Sequence, residues 1–254
     1  MTGIRSKLVG GMRRQLRSLT QSVLESHEAF SAETRKRLDE VEARSRDLER
    51  QMISLAESVL SSRWLDSPSL LASRDEAGHW LNWLGLSGEG VEVGVFRGEY
   101  SNQILRTWRC TRLTSVDPWR EFPASEYLDA CNMTQAEHER NYEAARATLA
   151  RFASRSSILR LTSSEASVRF ADGSLDFVYL DAQHHYEAIK DDINAWLPKV
   201  KRGGVLGGHD YLEGQLPSGL YGVKRAVHEF VEHSRYDLVV TREPDWPSWY
   251  VVVD

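Results

Sequence analysis

The chain has 254 residues, 41% of them hydrophobic and 27% charged, with a net charge of −5. That length allows one or two domains of ordinary globular composition. No apolar run reaches the roughly 18 residues a membrane-spanning helix needs, which excludes that class. Two cysteines, Cys110 and Cys131, exclude a disulfide framework and a zinc-finger spacing. The first twenty residues carry Arg5, Lys7, Arg13, Arg14 and Arg17 without an apolar core, against a secretory signal, so the cytoplasm is the expected compartment. Residues 1–62 carry a balance of +2 and residues 63–254 one of −7. A net-acidic main part predicts no nucleic-acid partner.

Residues 1–66 read as a helical arm. Leu38, Val41, Ser45, Leu48, Met52, Leu55 and Val59 recur at alternating steps of three and four, the spacing of a heptad seam. Leu16, Leu19, Val23 and Phe30 form an earlier seam, offset by a stutter across Thr34. A helix with so narrow a stripe must pack on something. A homo-oligomeric coiled coil through residues 16–60, folding back onto the chain's own domain, and peripheral contact of the basic first turns with an anionic membrane are the three readings. Ser67-Pro68-Ser69 ends the arm, and residues 67–254 read as a separate domain.

Within that domain, Ser73-Arg74-Asp75-Glu76 opens a short helix bearing Trp80 and Trp83. Strand-like runs follow at Val91–Val95, Leu113–Val116, Ile158–Leu161, Leu175–Leu180 and Val205–Leu206. Helical segments lie between them at Ser101–Trp108, Glu126–Phe152 and Tyr186–Leu197. Short apolar strands alternating with helices predict a doubly wound α/β fold, its sheet covered on both faces. After a helix at Val223–His233, Tyr236–Thr241 and Trp249–Val253 have hairpin spacing, so the sheet should close with an antiparallel edge.

The chemistry-bearing residues sit where these strands end. Gly94 and Gly98 follow the first strand, where glycine permits a tight turn and a close ligand approach, and Glu92 stands just before. Asp117, ending the second strand 23 residues after Gly94, has the place of a ribose-binding carboxylate, with Trp119 able to flank a nucleoside. Asp181 and His184 follow the fourth strand, and His209 and Asp210 the fifth, so all four should converge on one cleft. Such a group can hold a divalent cation or take a proton from a hydroxyl. His228 and His233 lack the i, i+4 spacing of a zinc helix.

Together Glu92-x-Gly94-x-x-x-Gly98, Asp117-Pro118-Trp119, Asp181-x-x-His184-x-Tyr186, Gly203-Gly204 and His209-Asp210-Tyr211 resemble a class I S-adenosylmethionine-dependent methyltransferase. The similarity is greatest to the small-molecule O-methyltransferases of the sugar or macrolide-glycoside type. It implies a Rossmann-like, mostly parallel seven-stranded sheet with an antiparallel C-terminal hairpin. It implies a methionine-end loop from Gly94 and Gly98 supported by Glu92, ribose contact by Asp117, Trp119 beside the nucleoside, and Ser164 and Glu165 near adenine. Asp181 would face both cofactor and acceptor.

Metal-dependent members of that family ligate magnesium through the Asp181 place and an acidic pair after the fifth strand. Here the pair reads His209-Asp210, so Asp181, His209 and Asp210 are the candidate ligands for Mg2+ or another divalent cation. The sequence reading favours that version slightly; without a metal, His184 or His209 would be the base, with Asp181 completing the catalytic set. The acceptor is expected to be a sugar-containing small molecule, with a phenolic acceptor as another possibility. A different class, a methyltransferase-fold scaffold assembling a glycan-synthesis complex through its coiled coil, is the alternative.

Overall fold

The structure is a computed structural model and describes residues 34–55, 58, 71–123, 127, 131–234 and 236–254. The chain divides into two compact units, Met1–Leu55 and Ala56–Asp254. The earlier seam of Leu16 to Phe30, the basic first turns and the boundary read at 66/67 lie outside the described residues. In the first unit, residues 34–55 form one helix, α1. Leu38, Val41, Leu48, Met52 and Leu55 stand on it between 53% and 71% exposed.

The second unit is ordered as α2 (Ala77–Trp83), β1 (Glu89–Val93), α3 (Glu99–Thr107), β2 (Arg112–Val116), α4 (Gln135–Leu149), β3 (Ser156–Leu159), α5 (Ser163–Ser167), β4 (Leu175–Leu180), α6 (Tyr186–Trp196), β5 (Val200–Gly208), β6 (Gly214–Leu216), β7 (Gly219–Tyr221), α7 (Val223–Ser234), β8 (Val239–Val240) and β9 (Trp249–Val252). Seven strands form one sheet in the order β3-β2-β1-β4-β5-β9-β8. The first five run parallel, and β9 pairs antiparallel with both β5 and β8. This is the expected doubly wound sheet with an antiparallel C-terminal edge. No helix among the described residues is long and apolar enough to cross a membrane.

Strand periodicity explains the two covered faces. Along β4, Phe177 and Tyr179 enter a core with Trp80, Ile104, Trp108 and Tyr250, while Val178 and Leu180 enter another with Ile189, Ile193, Trp196 and Val227. All six β4 residues are buried, including Asp176. That carboxylate is satisfied by N–H donation from Ser87 at 2.9 Å and Gly88 at 2.7 Å and by Lys201 at 2.7 Å. It thereby ties the entry of β1 to β4.

Several expected boundaries move for local reasons. β1 stops at Val93 because Gly94 has φ +86°, outside strand geometry. The helix read at Glu126–Phe152 begins only at Gln135, where Thr134 and Glu137 form a capping box, and a 3-10 turn follows it from Ala150. The strand read at Tyr236–Thr241 shrinks to Val239–Val240. An unforeseen hairpin, β6–β7, stands between β5 and α7.

Candidate active site

Chain order reverses between β1 and β4, which neighbour each other in the sheet. A crevice opens at such a switch point, beyond the strands' carboxyl ends. Here it is a cavity of about 730 Å³, within the range of small-ligand sites. Of the residues selected from sequence, Glu92, Gly94, Asp117, Trp119, Ser164, Asp181, His184, His209 and Asp210 line it. Gly98 and Glu165 do not.

Gly94 is fixed by a neighbour, not only by its turn. A Cβ there would lie 1.9 Å from the Asp181 carbonyl oxygen, because β1 and β4 stay paired past their ends through Asp181 N–H donating to the Val93 oxygen at 2.7 Å. The missing side chain leaves backbone open to the cavity. Gly98, by contrast, faces α4, where a Cβ would meet Ala145 at 3.4 Å. Its φ of +82° serves the entry into α3, and its surroundings are helix packing rather than cavity wall.

Asp117 accepts N–H bonds from Val95 at 2.9 Å and Phe96 at 3.0 Å on one oxygen and from Trp119 at 2.7 Å on the other. Burial pushes its pKa up, against the pull of those three donors. It therefore shapes the loop after β1 from a place in the cavity wall. Phe96, Trp119 and Asp210 all hold positive φ (54°, 41° and 50°), and all three line the cavity. Non-glycine residues held there concentrate at functional sites.

Trp119 is in the wall, but its ring is buried. Its indole N–H donates to the Phe96 oxygen at 2.8 Å and the ring packs on Tyr142 at 5.0 Å. It supports the loop that presents Phe96, which is the exposed aromatic of the pair. Glu165 is occupied at the start of α5, accepting from the Thr162 N–H at 2.9 Å and hydroxyl at 2.8 Å. Thr162, Ser163 and Ser164 face the cavity in its stead.

Glu92 is buried and accepts from the Ser101 hydroxyl, which is itself 2.6 Å from that of Ser115. Burial pushes its carboxyl up to about 8, against the Ser101 bond. His138, on α4, also lines the cavity, and its buried Nε2 has no hydrogen-bond partner among the described residues. An orphaned buried nitrogen normally finds a partner. The bare Gly94 backbone, the Glu92 carboxyl, the Asp117 carboxylate and this nitrogen fit a ligand with a cationic amine, a ribose and a heterocycle.

The acid–imidazole group does converge. The His184 Nε2 lies 2.9 Å from one Asp210 oxygen and the His209 Nδ1 2.8 Å from the other. His209 Nδ1 is also 3.6 Å from Asp181. The His184 ring stacks on Tyr221 of β7 at 4.9 Å. Burial works against a charged His209, but Asp181 and Asp210 outweigh it and push its pKa up to about 9. Burial likewise opposes a charged Asp210, yet the two imidazoles hold it well below the usual carboxylate range. That shift favours the protonated imidazole of His209 at neutral pH.

Arg74 completes the group and was read from sequence only as a helix opening. Its Nη1 is 3.3 Å from Asp181 Oδ2, and its guanidinium lies over the Tyr100 ring at 4.8 Å. Asp181, His184 and Asp210 place three ligand atoms within 4.8 Å of one another, so the cation set read from sequence shifts from His209 to His184. Magnesium does not fit this set. It seeks near-octahedral oxygen ligation, whereas both Asp210 oxygens already meet imidazole nitrogens and Asp181 already pairs with a guanidinium.

Residues 91–211 match the family model described as a methyltransferase domain. No curated protein matches the chain in sequence. Among solved structures, a Staphylococcus aureus protein proposed to be a caffeoyl-CoA O-methyltransferase aligns at 14% identity and TM-score 0.52, covering 80% of this chain and 98% of that one. An O-methyltransferase from Bacillus cereus, in complex with SAH, aligns at 13% identity and TM-score 0.48, covering 80% and 89%. A Corynebacterium glutamicum protein aligns at 18% identity and TM-score 0.47, covering 78% and 91%. Residues 91–211 thus carry a methyltransferase domain, and that match, the doubly wound sheet and the cavity at its switch point support an S-adenosylmethionine-dependent methyltransferase.

Proposed function

We propose that the enzyme methylates a hydroxyl oxygen of a sugar-containing small molecule, without a metal ion. The observation carrying this reading is the Arg74–Asp181 pair beside His209, which puts a carboxylate of the cavity wall between two cations. Bound S-adenosylmethionine supplies an electrophilic methyl group on its sulfonium sulfur. Glu92 and the Gly94 backbone hold its methionine end, Asp117 its ribose, and Thr162 to Ser164 its adenine edge. Asp181 accepts a hydrogen bond from the acceptor hydroxyl and takes its proton as the C–O bond forms and the C–S bond breaks. Arg74 and protonated His209 fix the two Asp181 oxygens, so one geometry is presented. Asp210 and His184 hold His209 in turn.

Tyr221, stacked on His184, and Trp246, with ring centroids 5.7 Å apart, line the same cavity and offer flat apolar faces. Such faces accept the C–H side of a sugar ring while its hydroxyls reach Asp181 and the histidines. The test is turnover of S-adenosylmethionine with methyl glycosides and with catechols, each with and without EDTA. Methylation of glycosides, unchanged by EDTA, is expected. Turnover of catechols alone would overturn the acceptor class, and loss in EDTA restored by magnesium would overturn the metal-free reading. Absence of any cofactor binding would favour the scaffold alternative.

A further inference from the structure

Helix α1 carries an exposed apolar stripe. Its 22 residues span about 33 Å at the ordinary helical rise. Leu38, Val41, Leu48, Met52 and Leu55 all stand more than half exposed along it. A lone helix of this length is marginal in water, and a stripe of this width is a coiled-coil seam rather than the face of a globular helix.

The charges beside the seam select its occupant. With Leu38, Ser45 and Met52 at the a positions and Val41, Leu48 and Leu55 at d, the g positions are Arg37, Arg44 and Gln51 and the e positions are Glu42 and Glu49. In a parallel, in-register pair, each g residue meets the e residue five places on in the partner chain. Arg37 then faces Glu42, and Arg44 faces Glu49, on both sides of the seam. In an antiparallel pair, g faces g and e faces e, so arginines meet arginines and glutamates meet glutamates. Glu42 lies 3.5 Å from Arg46 within the helix, an exposed contact that is readily exchanged.

Ser45 adds a second constraint. A polar residue at one a position is best tolerated opposite its own copy, which pins the register. An anionic membrane is a poorer occupant, because residues 34–55 carry six basic and five acidic side chains intermixed, not a basic face. We propose that α1 is one strand of a parallel, in-register, two-stranded coiled coil with a second copy of this chain. This inference does not depend on the acceptor or on the chemistry of the cavity.

The experiment uses the full chain. Light scattering should give the mass of a dimer. The Arg37→Glu/Arg44→Glu variant and the Glu42→Arg/Glu49→Arg variant should each dimerise at least tenfold more weakly, and mixing them should restore a heterodimer. Met52→Cys with Cys131→Ser should give a covalent dimer on mild oxidation, since only parallel pairing puts the two 52 positions side by side. Unchanged thermal melting of the methyltransferase unit shows that each variant is folded. A monomeric parent chain, a trimeric mass, charge variants that dimerise like the parent, or binding to phosphatidylserine vesicles in place of dimerisation would each overturn the proposal.

Discussion

Replacing Glu92 by Gln tests the electrostatics of the cavity floor without changing its shape. The folded carboxyl titrates at about 8, against an ordinary value of 4.5, because it is buried. The sign follows from linkage. Below pH 4.5 both folded and unfolded states hold the proton, and nothing is lost. Between 4.5 and 8 the unfolded state ionises while the folded one does not, so stability falls as pH rises. Above 8 the penalty is constant. At about 1.4 kcal/mol per unit, it is about 3 kcal/mol at pH 7 and about 5 kcal/mol above pH 8. Gln keeps an acceptor for the Ser101 hydroxyl but has no proton to take up. Glu92→Gln should therefore raise the thermal midpoint by roughly 6–12 °C at pH 7, at 2–4 °C per kcal/mol for a unit of this size. The gain should shrink about 2.5-fold at pH 5.5. Scanning fluorimetry or calorimetry at pH 5.5, 7 and 8.5 measures it. A gain independent of pH, or a loss at pH 8.5, refutes the reasoning. The functional counterpart is cofactor binding. A cationic amine placed beside Glu92 stabilises its ionised form, so the parent chain should release a proton on binding at pH 7 and the variant should not, read by calorimetric titration in two buffers of different ionisation enthalpy.

Other substitutions separate residues that the motif groups together. Gly94→Ala drives a Cβ onto the Asp181 carbonyl and should weaken S-adenosylmethionine binding at least tenfold, whereas Gly98→Ala should cost about 1 kcal/mol of stability and leave binding within twofold; equal effects on binding would refute the distinction. His138→Leu removes a buried nitrogen that has no partner among the described residues, so the melting temperature of the free protein should hold or rise while cofactor affinity falls about tenfold. Unchanged affinity would mean the nitrogen does not meet the cofactor. Arg74→Met removes the cation on Asp181 and should lower kcat/KM by about 10- to 100-fold, the worth of one charge-assisted bond of 1.5–3 kcal/mol, with cofactor affinity retained. Retained turnover would refute its positioning role.

Much of this architecture is legible in the sequence because the sheet is buried on both sides. Val91 to Val93, Leu113 to Val116 and Leu175 to Leu180 are mostly apolar and buried throughout for that reason, and each ends where glycine or aspartate takes over. The strand ends in turn place Gly94, Asp117, Asp181 and Asp210 on one crevice, since chain order alone puts their carboxyl ends together. What was not legible is whatever long-range packing decides. Gly94 and Gly98 look alike as motif letters, yet one abuts a strand end and the other a helix. Glu165 and Trp119 have the composition of ligand contacts, but a capping box occupies the first and an inward ring position the second. Neither local pattern carries that choice.

Arg74 is the most consequential of these residues, and its case shows why an acidic cluster alone does not define a metal site. Asp181 and Asp210 can be read along the chain as a pair awaiting a cation. The partners that occupy them come from His184 and His209 nearby and from Arg74, 107 residues before Asp181. Arg74 sits in a 3-10 turn, Arg74–Glu76, whose sequence reads only as a helix start. Its backbone N–H donates to Glu243 at 3.2 Å, and Ala72 accepts from the Arg242 N–H at 3.2 Å. The segment is thus held to the β8–β9 connection, which directs the guanidinium over Tyr100 to Asp181. The two carboxylates are then matched by one guanidinium and two imidazoles, and a divalent ion would have to displace one of them. In the proposed reaction, a fixed internal cation organises Asp181 as a bound metal would, and it leaves the oxygen offered to the acceptor hydroxyl free of a coordination bond.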